Sequence, residues 1–364
     1  MDVLTTGELR DVLEAERLPG AAELGAALQE ICGGGRGVAA RILDLRRLKT
    51  NVYRVRLETG SGGAVRSLML KSSNPALARH NQLVARRWLP AIGLADAGAR
   101  LEGSAADRHG QRIWLIYEDL GEARLDTATG DRARVGAVVD LIAALHVRSA
   151  GHAILPDCRA HGGDLGAPYL SGNVRDAVRG LEQLRPPRVA LTPEQEAIRD
   201  RLLERLRALQ HELPDRLLML ELGGGPEVLL HGDLWTTNAF VLNGPRIDAW
   251  CARLIDWDHA GVGWASYDLS TFLLRFPREE RPWILDRYRT AMEGAQAGWR
   301  LPEIRELNTL FETAEFARFA NRAVWPAVEL LVDGADWAFD ELAMVADWFD
   351  DWRPVLPETG ARPR

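Results

Sequence analysis

The segment His231-Gly232-Asp233-Leu234-Trp235-Thr236-Thr237-Asn238 sets a carboxylate five positions before a carboxamide, and Leu254-Ile255-Asp256-Trp257-Asp258 adds another carboxylate eighteen positions beyond Asn238. That combination is what phosphoryl transfer asks of a protein: a group to receive a hydroxyl proton, oxygen ligands for magnesium, and cations that neutralise phosphates. Asp233 is the candidate base. Asn238 and Asp256 offer the hard oxygens that magnesium takes when substrate phosphates complete its octahedron. His231, two residues before the base, reads as a scaffold that holds the loop through backbone hydrogen bonds. The plainer alternative makes His231 to Asp233 an ordinary tight loop and Asp256 a solvated strand end.

The elements around these residues decide between the two. Ala239-Phe240-Val241-Leu242 and Arg253-Leu254-Ile255 read as short strands, with Asn243-Gly244-Pro245 as turn chemistry between them. A hairpin there would return Asp256 to the side of Asn238. Upstream, Val65 to Lys71 reads as a strand that ends in a lysine. Only Lys49 and Lys71 among the 45 basic residues are lysines, so a lysine retained in so arginine-rich a chain is a candidate for a role that needs a compact ammonium. Lys71 at the end of its strand could reach phosphates. Lys49 sits with Thr50 and Asn51 in the turn between strands expected near Ile42–Leu45 and Val52–Leu57.

The chain resembles the aminoglycoside phosphotransferase and choline kinase group of small-molecule kinases. The likeness rests on His231 to Asn238, Ile255 to Asp258 and Tyr267-Asp268-Leu269, with upstream echoes in Thr50 to Val55, the strand ending in Lys71, Tyr117-Glu118-Asp119-Leu120, and Leu141 to His146. It implies an α+β, bilobal, protein-kinase-like fold. The expected lobes are 1–117, with a helical extension over about 1–36 and then a nucleotide-covering antiparallel sheet, and 118–364, mostly helical, with an insertion over about 150–225. It also implies ATP or GTP with Mg2+ as cofactors, Lys71 on the phosphates, Lys49, Thr50 and Asn51 in the covering turn, and Tyr117, Glu118 and Leu120 in the hinge at the base. Asp258 assists the metal or the loop, and Asp268 holds loop amides. Only twelve positions separate Asp256 from Asp268, which leaves little room for a polypeptide-docking segment and points to a small-molecule hydroxyl as acceptor.

Two departures stand out. The turn around Lys49 has no glycine, so contacts to phosphate must come from side chains or from fewer amides. The helix expected over about Pro75–Leu89 has no glutamate for Lys71, which leaves Gln82, His80 or a partner from elsewhere. Both keep a nucleotide-binding pseudokinase as an alternative to an active enzyme. Gly33 to Gly37 reads as a flexible connection rather than a replacement phosphate loop.

Helix signals fill the rest. Arg132 to Arg148 carries Val135, Val138, Val139, Ile142 and Leu145 at helical spacing, with His146 expected to pack. Thr192-Pro193-Glu194-Gln195 is a capping box opening a helix with Leu202, Leu206, Leu209 and Leu213 on one face. From Glu312 to Trp352 ten acidic residues face two arginines, with four tryptophans interleaved. That mixture suits a cationic acceptor, with Glu312, Glu315 and Trp325 nearest to it, or it is a solubilising surface over an aromatic core. The acceptor is then an amino sugar or aminoglycoside-like antibiotic, with a choline-type amino alcohol or a neutral sugar as alternatives. The net charge of −7 argues against nucleic acid, and no signal pattern or membrane-length apolar run appears. A cytoplasmic protein, monomeric or homodimeric, with three reduced cysteines (Cys32, Cys158, Cys251) is the expectation.

Overall fold

A computed structural model of the protein describes residues 7–8, 13–14, 18–32, 41–59, 64–126, 131–244 and 249–357. The expected connection at Gly33 to Gly37 lies outside them, as do Pro245 and the three residues after it. The chain divides into two units, Met1–Leu125 with Thr237–Asp258, and Asp126–Thr236 with His259–Arg364.

The first unit is built on a six-stranded antiparallel sheet. Strands β1 (Gly7–Glu8), β2 (Arg41–Lys49), β3 (Val52–Thr59), β4 (Ala64–Ser73), β5 (Leu101–Ala106) and β6 (Ile113–Glu118) lie in the order β1-β2-β3-β4-β6-β5. Strand period decides what each face carries. Val55, Leu57, Leu68, Leu70, Trp114 and Ile116 point to one side, where Leu24 and Leu28 of helix α1 (Ala21–Cys32) close a hydrophobic core. The alternate positions Arg54, Met69, Lys71 and Tyr117 point to the other side and line a cavity. The register sets Lys71 opposite Val52 on β3 and Leu115 on β6.

Helix α2 (Pro75–Leu83) starts where the sequence says it should: Asn74 accepts the Leu77 amide at 2.9 Å and proline occupies the first turn. It passes into one π-turn, Val84–Trp88, before a short final turn, Leu89–Ala91. Such π-bulges accompany functional sites, and this one lines the cavity with Val84, Ala85 and Arg86.

Beyond Leu125 come α3 (Arg132–Ser149), α4 (Leu155–His161), α5 (Ala167–Gln183), α6 (Pro193–Gly223) and strand β7 (Glu227–Leu230) of the second unit. The capping box forms, Thr192 accepting from Gln195 N and Gln195 reaching back to Thr192 N. Leu202, Leu206, Leu209 and Leu213 are buried against Val174, Ala177 and Leu181 of α5, each such side chain contributing about 1.5–3 kcal/mol.

The first unit is completed by β8 (Ala239–Asn243) and β9 (Trp250–Leu254), an antiparallel pair with Ala239 opposite Leu254. The second resumes with β10 (Gly261–Trp264), paired to β7, then α7 (Ser266–Leu273), α8 (Arg281–Gly294), α9 (Ile304–Val332) and α10 (Ala338–Asp351). No described helix is long and apolar enough to cross a membrane.

Candidate active site

In the first unit the hairpin does what its sequence implied. The Ile255 amide donates to the Asn238 carbonyl at 2.9 Å, so the residues just beyond the two strand ends are bound to each other. Asn238 is 8 % exposed. Asp256 has φ +64°, a left-handed conformation that non-glycine residues rarely take and that clusters at functional positions.

Lys71 Nζ donates to Asp256 Oδ1 at 2.6 Å and to Asp258 Oδ1 at 2.7 Å. The Asn81 amide of α2 donates to the same Asp258 oxygen at 2.7 Å. The lysine partner therefore comes from the loop after β9 and from neither Gln82 nor His80. His80 instead donates its Nε2–H to the Trp257 carbonyl at 2.8 Å and sets its ring edge against Trp88, which fixes that loop from the helix side.

These groups open onto one cavity of about 1020 Å³, lined by first-unit residues including Lys49, Asn51, Lys71, Asn238, Asp256 and Asp258. The expected hinge, Tyr117 to Leu120, lines it as well. Burial pushes the Tyr117 phenol above its ordinary pKa, and the Asp258 and Asp256 carboxylates add to that. Asp119 braces this segment: its carboxylate accepts from Ser67 Oγ at 2.6 Å and from the Gly121 amide at 2.9 Å, and it pairs with Arg54. Glu118 accepts the Arg100 amide at 2.7 Å.

The covering turn is held by its own side chains. Asn51 Nδ2 donates to the Ser72 carbonyl at 3.1 Å, and Arg47 reaches the carbonyls of Lys49 and Thr50. Lys49 is exposed and lines the cavity; Thr50 is exposed outside its lining. Arg46 and Arg86 also line the cavity and were not legible in advance, because in a chain with 45 basic residues and two lysines an arginine carries little signal.

In the second unit the Asp233 loop is built around a buried carboxylate. Asp268, on the first turn of α7 and 0 % exposed, accepts the amides of His231 at 2.7 Å and Gly232 at 3.0 Å. His146 Nε2 lies 3.4 Å from it, and His146 Nδ1 meets the Tyr288 hydroxyl at 2.8 Å. Burial alone would raise the Asp268 carboxyl, but His146, His231 and the donated amides outweigh it and hold the group below the usual carboxylate range. His231 is fully buried, and its Nδ1 accepts the Asp233 amide at 3.4 Å, the geometry of a scaffold. Gly232 has φ +80°, and a Cβ there would stand 1.9 Å from the His259 carbonyl oxygen, so glycine is required. Asp233 is half-buried, and beside it the Arg275 guanidinium stacks 3.9 Å from the centre of the exposed Trp235 ring.

The residues expected near the acceptor are differently placed. Glu315 is 2 % exposed and committed to Arg318, Ser270 Oγ and Thr271 Oγ1, an enclosed ion pair with no face for a ligand. Glu312 pairs with Arg216 at 3.3 Å. Trp325 is 65 % exposed, whereas Trp348 and Trp352 pack around Phe316 and Phe319.

The family model described as "Phosphotransferase enzyme family" matches residues 47–307. The chain belongs to this family. It is a phosphotransferase of the aminoglycoside phosphotransferase and choline kinase type, with the α+β, protein-kinase-like fold expected from its sequence. Among solved structures it is similar to the GDP and kanamycin complex of APH(2")-IIia (TM-score 0.58, 12 % identity, 90 % of this chain and 99 % of that one). It is also similar to an ethanolamine kinase from Plasmodium vivax (0.56, 11 %, 92 % and 83 %) and to the spectinomycin phosphotransferase APH(9)-Ia with ADP and spectinomycin (0.52, 13 %, 96 % and 99 %). No curated protein matches the chain in sequence.

Proposed function

We propose that this phosphotransferase moves the terminal phosphoryl group of ATP or GTP onto a hydroxyl of a small molecule, with Asp233 receiving the hydroxyl proton. The observation that carries the reading is the convergence, on one first-unit cavity, of Lys71, Asn238, Asp256 and the Tyr117–Leu120 segment. Lys71 would pair with the phosphates and the hinge backbone with the base, while Lys49 and Asn51 flank the phosphates from the covering turn. ADP and GDP in the neighbouring structures support nucleotide use.

The donor set fits magnesium. Asn238 contributes an amide oxygen and Asp256 a carboxylate, hard ligands tied together by the hairpin hydrogen bond. When bound, magnesium neutralises phosphate charge. The chain's own residues do the rest: Lys71 orients the nucleotide, His231 and Asp268 hold the Asp233 loop, and Asp233 takes the proton at its carboxylate.

For the acceptor, the expected amino sugar or aminoglycoside-like molecule rested on the C-terminal carboxylates. Glu312 and Glu315 are paired, Asp347 and Asp350 meet Arg201, and Glu341 meets Arg322, which removes much of the free negative charge a polycation would need. Arg275, close enough for the Asp233 and Glu315 carboxylates to act on its charge, adds a cation there. The reading is therefore a hydroxyl kinase for which amino alcohols and neutral sugars stand level with amino sugars, acting in the cytoplasm. The pseudokinase alternative draws on the glycine-free turn.

The test is ADP release with ATP or GTP and Mg2+ across aminoglycosides, amino sugars, choline analogues, macrolides and simple sugars. Acceptor-dependent release that falls at least about a hundredfold in Asp233→Asn, with nucleotide affinity near that of the parent, is the expected result. Nucleotide binding with no turnover on any acceptor would favour the pseudokinase.

A further inference from the structure

A lysine on the phosphates needs a fixed carboxylate to keep its position, and α2 with its π-turn carries no acidic residue. What the helix carries is Asn81, 4 % exposed, whose two amide hydrogens go to the Leu77 carbonyl at 3.0 Å and to Asp258 Oδ1 at 2.7 Å. Asp258 Oδ1 in turn accepts from Lys71. Helix, amide, carboxylate and ammonium form one continuous chain of hydrogen bonds. The second Lys71 contact, Asp256, is the more exposed of the two carboxylates, 33 % against 20 %, and receives no hydrogen bond from Asn81. A magnesium ion held by Asp256 would draw on the same carboxylate charge that the ammonium shares, so a carboxylate assigned to the metal is a poor permanent anchor for a lysine.

Given the nucleotide site proposed above, we propose that Asp258, held by Asn81, is the positioning residue of Lys71: the anchoring carboxylate has moved from the helix to the metal loop, and the helix retains only a neutral amide that fixes it. Lys71 then keeps its place when the Asp256 contact is given up. Arg86 cannot substitute, since a guanidinium offers Lys71 only like charge.

The test measures equilibrium binding of ATP and of GTP, each with Mg2+, to the full chain by titration calorimetry. Asp258→Asn should weaken binding about tenfold, the scale of one charge-assisted hydrogen bond. Adding Asn81→Glu to that variant returns a carboxylate to the helix and should bring affinity back to within about threefold of the parent. Asn81→Ala alone, which removes no charge, should cost about threefold and cost nothing further in the Asp258→Asn background. Parent-like affinity of Asp258→Asn, failure of Asn81→Glu to restore it, or an equal cost of Asn81→Ala in both backgrounds overturns the assignment. A nucleotide-free readout exists because the chain has only two lysines. Lys71 should acylate more slowly than the exposed Lys49, and both Asp258→Asn and Asn81→Ala should speed Lys71 selectively. Unchanged Lys71 rates in the folded Asn81→Ala protein overturn the assignment even if Asp258→Asn fails to fold. A parent that binds neither nucleotide sinks the site reading and this inference with it, whereas a parent and Asp258→Asn that bind alike sink this inference alone.

Discussion

The two units each organise chemistry around carboxylates, and they do so in opposite ways. In the second unit Asp268 is wholly buried, and its partners are two backbone amides and a histidine, all belonging to the framework. In the first unit Asp256 and Asp258 remain partly reachable and share a single ammonium, with two carboxylates to one lysine. A buried charge with several fixed donors is committed, and removing it leaves those donors stranded. A half-exposed charge in a shared pair can exchange partners at modest cost, because water screens what is lost. Asp268 is thus a part of the architecture that shapes the Asp233 loop, while Asp256 is a group available to a ligand.

The largest expected effect belongs to the committed carboxylate. Asp268→Ala should lose about 3–5 kcal/mol of folding stability by denaturant unfolding, and a loss under about 1 kcal/mol would erase the distinction between the two centres. Asp256→Ala should invert that pattern, with stability within about 1 kcal/mol of the parent but magnesium-dependent nucleotide binding lost in calorimetry. Equal binding with and without magnesium in the parent would count against the metal assignment.

The smallest effect is a pH dependence. Because the Asp268 carboxyl is depressed in the folded state, its contribution is fully present above its unfolded pKa of about 3.9 and drains away as pH falls through the lower folded value. Melting temperatures of the parent and of Asp268→Asn should therefore converge below about pH 4. A gap that stays constant into acid would show that the charge is not what stabilises the loop.

Legibility in the sequence follows the range of the interaction. The hairpin, the capping box at Thr192 and the stripe on α3 were readable because each is a pattern within a few residues, set by turn chemistry or helical period. Lys71 drew notice through composition alone. Its partner did not, because Asp258 lies 187 positions away and no local spacing records that pairing. The π-turn escaped notice because its residues are ordinary helix formers and the extra residue per turn leaves no compositional mark. The C-terminal acids left two readings open for a related reason: a count of carboxylates says nothing about which ones pair with an arginine from a distant helix, as Glu312 on α9 does with Arg216 on α6.

The return of residues 237–258 to the first unit carries a consequence in time. A ribosome has made everything in the six-stranded sheet by Leu125, yet Asn238, Asp256 and Asp258 emerge only after about 110 to 130 further residues. At roughly 5–20 residues per second that is an interval of several seconds or more. Through it Lys71 has neither of the carboxylates that hold it in the folded protein. For this chain the carboxylates that hold Lys71 are made long after the strand that carries it.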